Sequence, residues 1–335
     1  MTKNRYSIIL PVRNGGEHVK ECISSILLQS YPHFDLHVLD NSSTDGTLEW
    51  INSLKDERIV VYPSDVPLTI EQNWGRVTGI PKNEFMTITG HDDVFLPAYL
   101  EEMNALIEKH PEASLYQTQF NFIDAKGAFI RACKPVDEIQ PAAAFLEKML
   151  TMNIDITGTG FMTRSKDYDA MGGIPSWPNL LFADFNLWMQ LTRISFKATS
   201  SRNCFSYRLH QSMTAVSPVE KFQAAFDCFI KYLYQLKQED AVLAAVIHKN
   251  VRDIISFYCR SFSHRLLRIP KVKRKDHTVA GWIDDCRGYA DLLIGEKSFD
   301  PLSVASIRLA RWIDSNAAGR NLFLAFKKIY SKPVF

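Results

Sequence analysis

Short apolar runs alternate with helical segments over the first hundred residues, and this alternation constrains the fold more than any other feature. Strands are predicted at residues 6–10, 36–39, 59–62 and 85–89. Apolar residues recur at helical spacing between them, as in Val19, Cys22 and Ile26. This alternation is typical of right-handed βαβ units. The sequence therefore predicts an α/β fold with a mainly parallel, Rossmann-like sheet flanked by helices.

Polar side chains follow the predicted strands at the points where they end. In open α/β sheets, ligands bind beyond the carboxyl ends of the strands. We therefore expect a binding site at that edge. The polar residues concerned are Arg13, Asn14, Asp40, Asn41, Asp65, Asp92 and Asp93.

The stretch TGHDD ends the fourth strand with two adjacent carboxylates, Asp92 and Asp93. Like charges repel one another and lose water when they are buried, so something positive is expected to compensate them. Hard carboxylate oxygens suit Mg²⁺ or Mn²⁺. The alternative is that the pair caps a helix beginning in PAYLEEM.

The pattern changes in the last third of the chain. Up to residue 215, we predict a hairpin from SLYQTQFNFID and AFIRACK, and further helices and strands. From residue 219 onward the periodicity is helical throughout. We therefore predict a first domain at residues 1–215, with halves at about 1–110 and 111–215, and a helical domain at 216–335.

Composition excludes several classes of protein. The chain has 335 residues, of which 46% are hydrophobic and 23% charged, as in ordinary globular proteins. No apolar run is long enough to span a membrane, and the short N-terminal run before Pro11 predicts a core strand rather than a leader. Six scattered cysteines favour a reduced, cytoplasmic protein.

The net charge of +2 conceals an asymmetry. Residues 242–335 hold 17 Lys and Arg against 8 Asp and Glu, which leaves a net charge of −7 for the rest of the chain. The segment 264–277, HRLLRIPKVKRKDH, has six basic residues beside apolar ones. It is either a solvated loop or a surface that lies on an anionic membrane.

The segments SIILPVRNGGEHVKECISSILLQSYPHFDLHVLDNSSTDGT, NWGRVTG and TGHDD resemble the family 2 glycosyltransferases, whose nucleotide-binding half has the GT-A fold. The resemblance covers residues 5–214. The sequence departs from the family pattern in having Arg13 where an aromatic residue is common, and Asp40-Asn41-Ser42-Ser43 for Asp-Asp-Gly-Ser. Gly90 stands where the first Asp of the metal motif is usual.

The resemblance implies a donor site and a cation site. Asp40 would accept a hydrogen bond from the base or ribose of a nucleotide, and the alternative is a turn or helix cap. Asp92 would hold Mn²⁺ or Mg²⁺ on the donor diphosphate, with Asp93 and His210. Asp65 and Arg76 lie near the expected base pocket, or are solvated turn residues. The donor-binding residues predicted are Pro11, Arg13, Asn14, Asp40, Asn41, Asp65, Arg76, His91 and Asp92.

The resemblance also implies an acceptor side. Asp184 in FADFNLWMQL would be the general base, with Ala183 in place of the family's Glu; its alternative is an N-cap for a helix at 185–194. Arg208 and His210 would approach the diphosphate, although a lone His is more often structural. The predicted acceptor-binding residues are Gly158, Gly160 and Phe161.

The function implied is inverting transfer of a sugar from a nucleotide-sugar, with UDP-sugar favoured, to a saccharide or lipid-linked acceptor. Family habit suggests bacterial surface polysaccharide synthesis at the inner face of the cell membrane. We expect no nucleic-acid partner, and a homo-oligomer is compatible with the sequence. One rival, a Rossmann oxidoreductase, lacks its GxGxxG motif in PVRNGGEH. Another, an inactive nucleotide-sugar-binding scaffold, draws support from Gly90 and Ala183.

Overall fold

The apolar runs near the N-terminus form neighbouring parallel strands, as their alternation with helices predicts. The computed structural model describes residues 5–209, 217–295 and 299–329. The first strands, in the order β3-β2-β1-β4 across the sheet, are all parallel. Every residue of β1 is buried, as expected for a central strand covered on both faces. The strands are β1 (Tyr6–Val12), β2 (Phe34–Asp40), β3 (Ile59–Val61) and β4 (Phe85–Ile88).

Helices connect these parallel strands as βαβ units. They are α1 (Gly16–Leu27), α2 (Thr47–Ser53) and α3 (Ile70–Gly75). The buried residues of α1 are Val19, Cys22, Ile23 and Ile26, which lie at the spacing of one helical face. Their burial in the same core as β1 and β2 is why this segment is helical.

The sheet continues beyond β4 through strands of both directions. The order runs β4-β9-β6-β10-β5, with β7 on β6 and β8 on β10. Because β9 is antiparallel to both β4 and β6, while β10 is parallel to β6, the strands β4, β6 and β10 end at the same edge as β1 and β2. These strands are β5 (Val94–Phe95), β6 (Leu115–Ile123), β7 (Phe129–Ala132), β8 (Ile139–Pro141), β9 (Phe161–Arg164) and β10 (Phe196–Arg208).

Among the described residues, six of the ten strands therefore run in one direction, which confirms the predicted α/β fold with a mainly parallel sheet. The predicted hairpin is also present, as the antiparallel pair of β6 and β7. The helices of this part are α4 (Tyr99–Lys109), α5 (Ala142–Leu150), α6 (Ser165–Ala170) and α7 (Ala183–Ile194).

The described residues divide into two compact units. The sheet unit contains residues 5–145 and 154–209, and the helical unit contains 146–153, 217–295 and 299–329. The boundary predicted after residue 215 lies outside the described residues. The helical unit also includes residues 146–153, which the sequence assigns to the acceptor half.

The helical unit packs around aromatic side chains. Phe222 stacks on Phe262 at 4.3 Å between ring centroids, and Trp282 lies edge-on to Phe262 at 4.8 Å. Among the described residues, none of the helices combines the length and apolar character needed to cross a bilayer. The helices are α8 (Val219–Glu239), α9 (Ala241–Arg268), α10 (Val279–Ile294), α11 (Ala305–Ser315) and α12 (Ala317–Ile329).

Candidate active site at the carboxyl edge of the sheet

The loops that follow β1 and β2 are joined by hydrogen bonds along the edge of the sheet. The backbone N–H of Asn14 donates to Ser43 Oγ at 2.9 Å, and the N–H of Thr44 donates to Asn14 Oδ1 at 2.8 Å. At the next residue, the N–H of Gly15 donates to Thr47 Oγ1 at 3.0 Å. Asn14 has φ 53°, a left-handed conformation that Asn tolerates better than most residues. Two loops distant in sequence thus form one rigid rim.

Asp40 ends β2 directly beneath this rim, and its side chain is only half satisfied. The residue is 1% exposed, and its Oδ2 accepts from the N–H of Ser43 at 3.3 Å. Its Oδ1 is buried and has no hydrogen-bond partner among the described residues. A buried carboxylate oxygen without a donor is costly unless a ligand supplies one. The hydrogen bond from Ser43 is that of a turn, and it satisfies Oδ2 alone. The interpretation of Asp40 as a turn or cap residue therefore leaves Oδ1 unexplained.

Other predicted donor-side residues hold this edge together. Asn41 both donates to and accepts from the backbone of Leu68, at 3.0 and 2.7 Å. Arg76 donates to the carbonyls of Asp40 at 3.0 Å and Tyr62 at 2.6 Å, and burial lowers its pKa. These contacts are internal to the protein. They position Asp40, and contact of Asn41 or Arg76 with a nucleotide stays a prediction.

The remaining donor-side residues differ in exposure. Pro11 is buried within β1, whereas Arg13 and Asp65 are exposed on the loops after β1 and β3. His91 is partly exposed in the loop after β4. The structure therefore brings Arg13, Asp65 and His91 to the carboxyl edge of the sheet, as predicted from their position after strands.

Gly90 leaves room for the two carboxylates that follow it. A Cβ at this position would lie 2.7 Å from Asp92 Oδ1 and 3.1 Å from Asp93 Oδ2, so both carboxylates would have to shift to admit a side chain. The carbonyl of Gly90 accepts from Cys22 Sγ at 3.4 Å, which ties the loop to α1. The departure from the family motif therefore has a steric reason, since both carboxylates fold back over the glycine.

Asp93 is buried and shares its two oxygens with neighbouring segments. Its Oδ2 accepts from Thr159 Oγ1 at 2.6 Å, and its Oδ1 accepts from the N–H of Arg208 at 3.2 Å. Burial and the adjacent charge of Asp92 raise the pKa of Asp93 to about 7. The predicted alternative for this pair, a helix cap, is wrong, because α4 begins at Tyr99 and its N-cap is Ala98.

Arg208 is the buried cation nearest to this loop. Its Nε donates to the carbonyl of Asp92 at 2.8 Å, its Nη1 to that of Asp124 at 3.1 Å, and its Nη2 to Glu21 Oε2 at 2.6 Å. The guanidinium is fully buried. It fixes the backbone of the Asp92 loop to β6 and α1, and a contact with diphosphate stays a prediction.

Asp184 lies in the first turn of α7, partly exposed. Its Oδ1 accepts from the N–H of Phe185 at 2.8 Å, and burial among protein atoms raises its pKa. The N-cap of α7 is Phe182, so the alternative in which Asp184 is the N-cap is wrong. A partly exposed carboxylate with a raised pKa can act as a proton acceptor.

The loop at residues 157–160 joins the two acidic positions. Thr159 binds Asp93, and the carbonyl of Thr157 accepts from Trp188 Nε1 of α7 at 3.0 Å. A Cβ on Gly158 would lie 3.8 Å from Asp184 Oδ2. The loop therefore sets the spacing between Asp93 and Asp184.

The three predicted acceptor-binding residues are not equivalent. Gly158 is partly exposed beside Asp184. Gly160 is buried with φ +81°, and a Cβ there would lie 2.8 Å from the ring of Phe205. Phe161 is 1% exposed and stacks on Trp188 at 4.4 Å. Packing explains Gly160 and Phe161, so acceptor contact is better supported for Gly158, and all three stay predictions.

Tyr207 was missed by the sequence analysis. It is partly exposed near the end of β10, with its ring against Phe122 at 5.9 Å. Burial and the charges of Asp93, Asp92 and Asp184 all raise the pKa of its hydroxyl. Within the described part of the chain, that hydroxyl has no hydrogen-bond partner. Its position next to Arg208 at the end of a strand could have indicated it, because the polar residues that follow the other strands lie at the same edge.

The described residues fit a hard divalent cation in part. Asp92 and Asp93 supply carboxylates whose mutual repulsion a cation would relieve, although both oxygens of Asp93 already accept hydrogen bonds. No group of three or more His, Cys, Asp or Glu in the described ranges could hold a metal. His210, the third predicted ligand, lies outside those ranges.

Comparison with known proteins agrees with this geometry. The family model described as glycosyl transferase family 2 matches residues 7–169. An uncharacterized glycosyltransferase of Rickettsia typhi is 24% identical over 267 residues, covering 77% of this chain and 82% of that protein. TuaG of Bacillus subtilis, whose name assigns it to teichuronic acid biosynthesis, is 26% identical over 61% of this chain and 78% of its own.

Solved structures share the fold at low identity. S. aureus TarS in complex with UDP-GlcNAc has a TM-score of 0.67 and 14% identity, covering 98% of this chain and 93% of that chain. The mannosyltransferase PcManGT of Pyrobaculum calidifontis, in complex with GDP-Man and Mn²⁺, has a TM-score of 0.52 and 12% identity, covering 99% and 89%. With the strand-end carboxylates and the matched motifs, these findings identify the chain as a glycosyltransferase that carries a family 2 domain.

Proposed function

We propose that this glycosyltransferase is metal-dependent and inverting. It moves a sugar from a nucleotide-sugar, with UDP-sugar favoured, to a hydroxyl of a saccharide or lipid-linked acceptor in bacterial surface polysaccharide synthesis. The observation that carries the proposal is the loop at residues 157–160, in which Thr159 binds Asp93, the neighbour of Asp92, and Gly158 lies beside Asp184. These groups lie at the carboxyl edge where β2 also ends with the open oxygen of Asp40.

Each part of a nucleotide-sugar has a counterpart at this edge. The open Oδ1 of Asp40 accepts a hydrogen bond from a base N–H or a ribose hydroxyl. Asp92, with Asp93, would hold Mn²⁺ or Mg²⁺, and this ion would neutralise charge on the leaving diphosphate. UDP-GlcNAc in TarS, and GDP-Man with Mn²⁺ in PcManGT, support a nucleotide-sugar donor.

Asp184 is the general base that acts on the hydroxyl of the acceptor sugar. Its carboxylate takes the proton from the attacking hydroxyl as that oxygen forms a bond to the anomeric carbon. The bond between the anomeric carbon and the diphosphate breaks at the same time, and the configuration inverts. A raised pKa favours this task, because a stronger base draws a proton more readily near neutral pH.

The proposal extends to the place of the reaction. TuaG, named for teichuronic acid biosynthesis, supports a cell-surface polymer as the product class. A cytoplasmic enzyme bound to the inner face of the membrane through its helical unit would meet nucleotide-sugars made in the cell and an acceptor on a lipid carrier.

Product analysis tests the proposal. The chain is incubated with a panel of UDP- and GDP-sugars, Mn²⁺ and saccharide or lipid-linked acceptors, and release of nucleoside diphosphate is measured. NMR of the product reports the anomeric configuration. We expect acceptor-dependent release and inversion with at least one donor. Donor binding without turnover across the panel would instead support the inactive scaffold, and a product of retained configuration would refute inversion.

A further inference from the structure

The chain directly ahead of Asp184 has an uncommon backbone conformation. Asn179, Leu180 and Phe182 have φ angles of 53°, 54° and 61°. This left-handed conformation is unfavourable for side chains such as those of Leu and Phe, because the Cβ atom crowds the following carbonyl oxygen. Such residues persist where contacts from the rest of the protein hold them, and they are frequent at functional sites. We call residues 178–182 the arm.

The arm continues without a break into the helix that carries Asp184. The carbonyl of Phe182 accepts from the N–H of Asn186, one turn into α7, at 3.3 Å. Leu181 and Ala183 on either side of Phe182 are 6% and 0% exposed, so both are packed in the protein interior. A displacement of the arm would therefore move the first turn of α7 and the Asp184 carboxylate with it.

Glu71 holds the arm from a distant part of the chain. It lies in the first turn of α3, and its Oε1 accepts from the backbone N–H of Asn179 at 2.7 Å. Asn179 is 9% exposed, and a hydrogen bond from a buried N–H to a charged acceptor is among the stronger ones. This bond stabilises the conformation in which the arm turns its backbone towards α3.

Two further contacts join the same parts of the chain. Lys82 is paired with Asp169 at 3.0 Å, and its side chain is 3% exposed. A Cβ on Gly173 would lie 2.7 Å from Thr78 Cγ2, so the two backbones are close there. The order of the three contacts is reversed between the two segments, which therefore run antiparallel. Of the three, the hydrogen bond to the arm is nearest in sequence to α7.

The short helix α3 also supports the donor side of the site. Asn73 Nδ2 donates to the carbonyl of Leu39 at 3.3 Å, and Asn73 Oδ1 accepts from Arg76 Nη1 at 3.0 Å. The same Nη1 donates to the carbonyl of Asp40. Since Glu71 lies on this helix, one element supports both the end of β2 and the arm.

We propose that Glu71 is a positioning residue for glycosyl transfer and acts through Asp184. By holding the arm against α3, it fixes where α7 begins and hence where the Asp184 carboxylate lies relative to Asp40. The inference rests on the role of general base proposed above for Asp184. It requires an acceptor oxygen at the length of the Glu71 side chain, and it requires no contact between Glu71 and the substrates.

Three variants at this position separate reach from charge. Glu71→Gln keeps an oxygen that can accept from Asn179. Glu71→Asp keeps the charge but is one methylene shorter, and Glu71→Ala removes the acceptor. The control is Glu49→Ala, an exposed acid in the first turn of α2. Turnover is measured as acceptor-dependent release of nucleoside diphosphate, donor affinity by calorimetry and folding by thermal unfolding. Glu71→Asp and Glu71→Gln are also made in the Asp184→Asn background.

We expect Glu71→Ala and Glu71→Asp to lower kcat roughly ten- to hundredfold, as for other small displacements of catalytic groups. Glu71→Gln and the control should keep the wild-type kcat, and donor affinity should be unchanged in all four. In the Asp184→Asn background, Glu71→Asp should cause no further loss, because residues that act as a unit are not additive.

Several results would overturn the proposal. Unchanged kcat in Glu71→Asp, or equal loss in Glu71→Gln and Glu71→Asp, would show that the reach of the acceptor oxygen is not what matters. A full further loss in the Asp184→Asn background would show that Glu71 acts independently of Asp184. If Glu71→Ala does not fold, the comparison of the Gln and Asp variants still decides. Wild-type turnover in Asp184→Asn would refute the general base itself, whereas these other results refute only the role of Glu71.

Discussion

The two units concentrate charge of opposite sign, and they deal with it differently. At the carboxyl edge of the sheet unit, Asp92 and Asp93 stand side by side, and burial raises the pKa of Asp93 to about 7. In the helical unit, Arg274 and Arg320 both donate to the carbonyl of Ile269, and among the described residues Asp314 is the acid paired with Arg274. Both regions retain charge that the described residues do not neutralise.

The difference lies in what each region needs in order to bind phosphate. A guanidinium group can take a phosphate directly, because its N–H groups are donors. The acidic edge repels a diphosphate unless a cation lies between them. We therefore expect phosphate binding to need a metal ion at the acidic edge of the sheet unit, and to need none at arginines of the helical unit.

The largest expected effect comes from the proton acceptor of the acidic edge. Asp184→Asn keeps the size of the side chain and the oxygen that accepts from Phe185, but the amide cannot take a proton. We expect turnover to fall roughly 10²- to 10⁴-fold, the usual contribution of a positioned base. The measurement is the rate of nucleoside diphosphate release, with Asp291→Asn, an exposed position on α10, as the control.

The same variant has a pH signature. Because the pKa of Asp184 is raised, the folded state binds that proton more tightly than the unfolded chain does. Its contribution to stability therefore falls as pH rises from the ordinary Asp value through the raised one. At neutral pH we expect Asp184→Asn to be as stable as the wild type or more so. A destabilised Asp184→Asn with full turnover would mean a structural residue.

A smaller effect is expected at the glycine over which the carboxylates fold. Gly90→Ala places a Cβ within 3.1 Å of both Asp92 and Asp93 oxygens. Asp93 cannot move away easily, because Thr159 and Arg208 hold it. We expect a loss of about 1–3 kcal/mol in the free energy of unfolding, as for other overpacked sites, and weaker donor binding.

Two further variants sharpen the test at this position. Gly288→Ala on α10 is the control, since its Cβ would meet nothing within 4 Å and should leave stability unchanged or raise it by up to about 1 kcal/mol. Gly90→Asp restores the family's usual residue, but adds a third carboxylate to the same space. We expect it to be less active than Gly90→Ala. An increase in activity would show that the family motif operates here in its usual geometry.

The sequence predicted the parts of this site that depend on strand order. Asp40, Asp92 and Asn14 could be placed at one edge because parallel strands end together. It could not show that Arg208 is buried against Glu21, because that contact joins residues 187 positions apart. Gly160 and Phe161 were predicted to bind the acceptor because they lie in a glycine-rich stretch. Such a stretch gives no indication of the Phe205 and Trp188 rings that pack there.

The pairing of basic residues in the helical unit was outside the reach of sequence reasoning for a similar reason. A run of basic residues in 264–277 was visible, but its division into buried and exposed members depends on α11 and α12. Arg274 is buried because Asp314, forty residues later, pairs with it. Periodicity predicts which face of a helix is apolar, and it does not predict which charge another helix neutralises.

The smallest expected effect concerns Tyr207. Tyr207→Phe keeps the ring against Phe122 and removes a hydroxyl that has no protein partner in the described part of the chain. If this hydroxyl binds donor or acceptor, KM should rise by roughly two- to tenfold, the value of one hydrogen bond, with stability unchanged. The control is Tyr234→Phe, an exposed position on α8. Unchanged kinetics would remove Tyr207 from the site.

The central claim is that the acidic edge binds a diphosphate only through a cation. Calorimetric titration of the wild type with a UDP-sugar, in Mn²⁺ and again in excess chelator, tests it most directly. We predict that chelation weakens binding at least tenfold, since a contact between unit charges near a protein surface is worth roughly 1–4 kcal/mol. We also predict that Asp92→Asn weakens binding in Mn²⁺ to a similar extent. Equal affinity for the nucleotide-sugar in Mn²⁺ and in chelator would contradict the account.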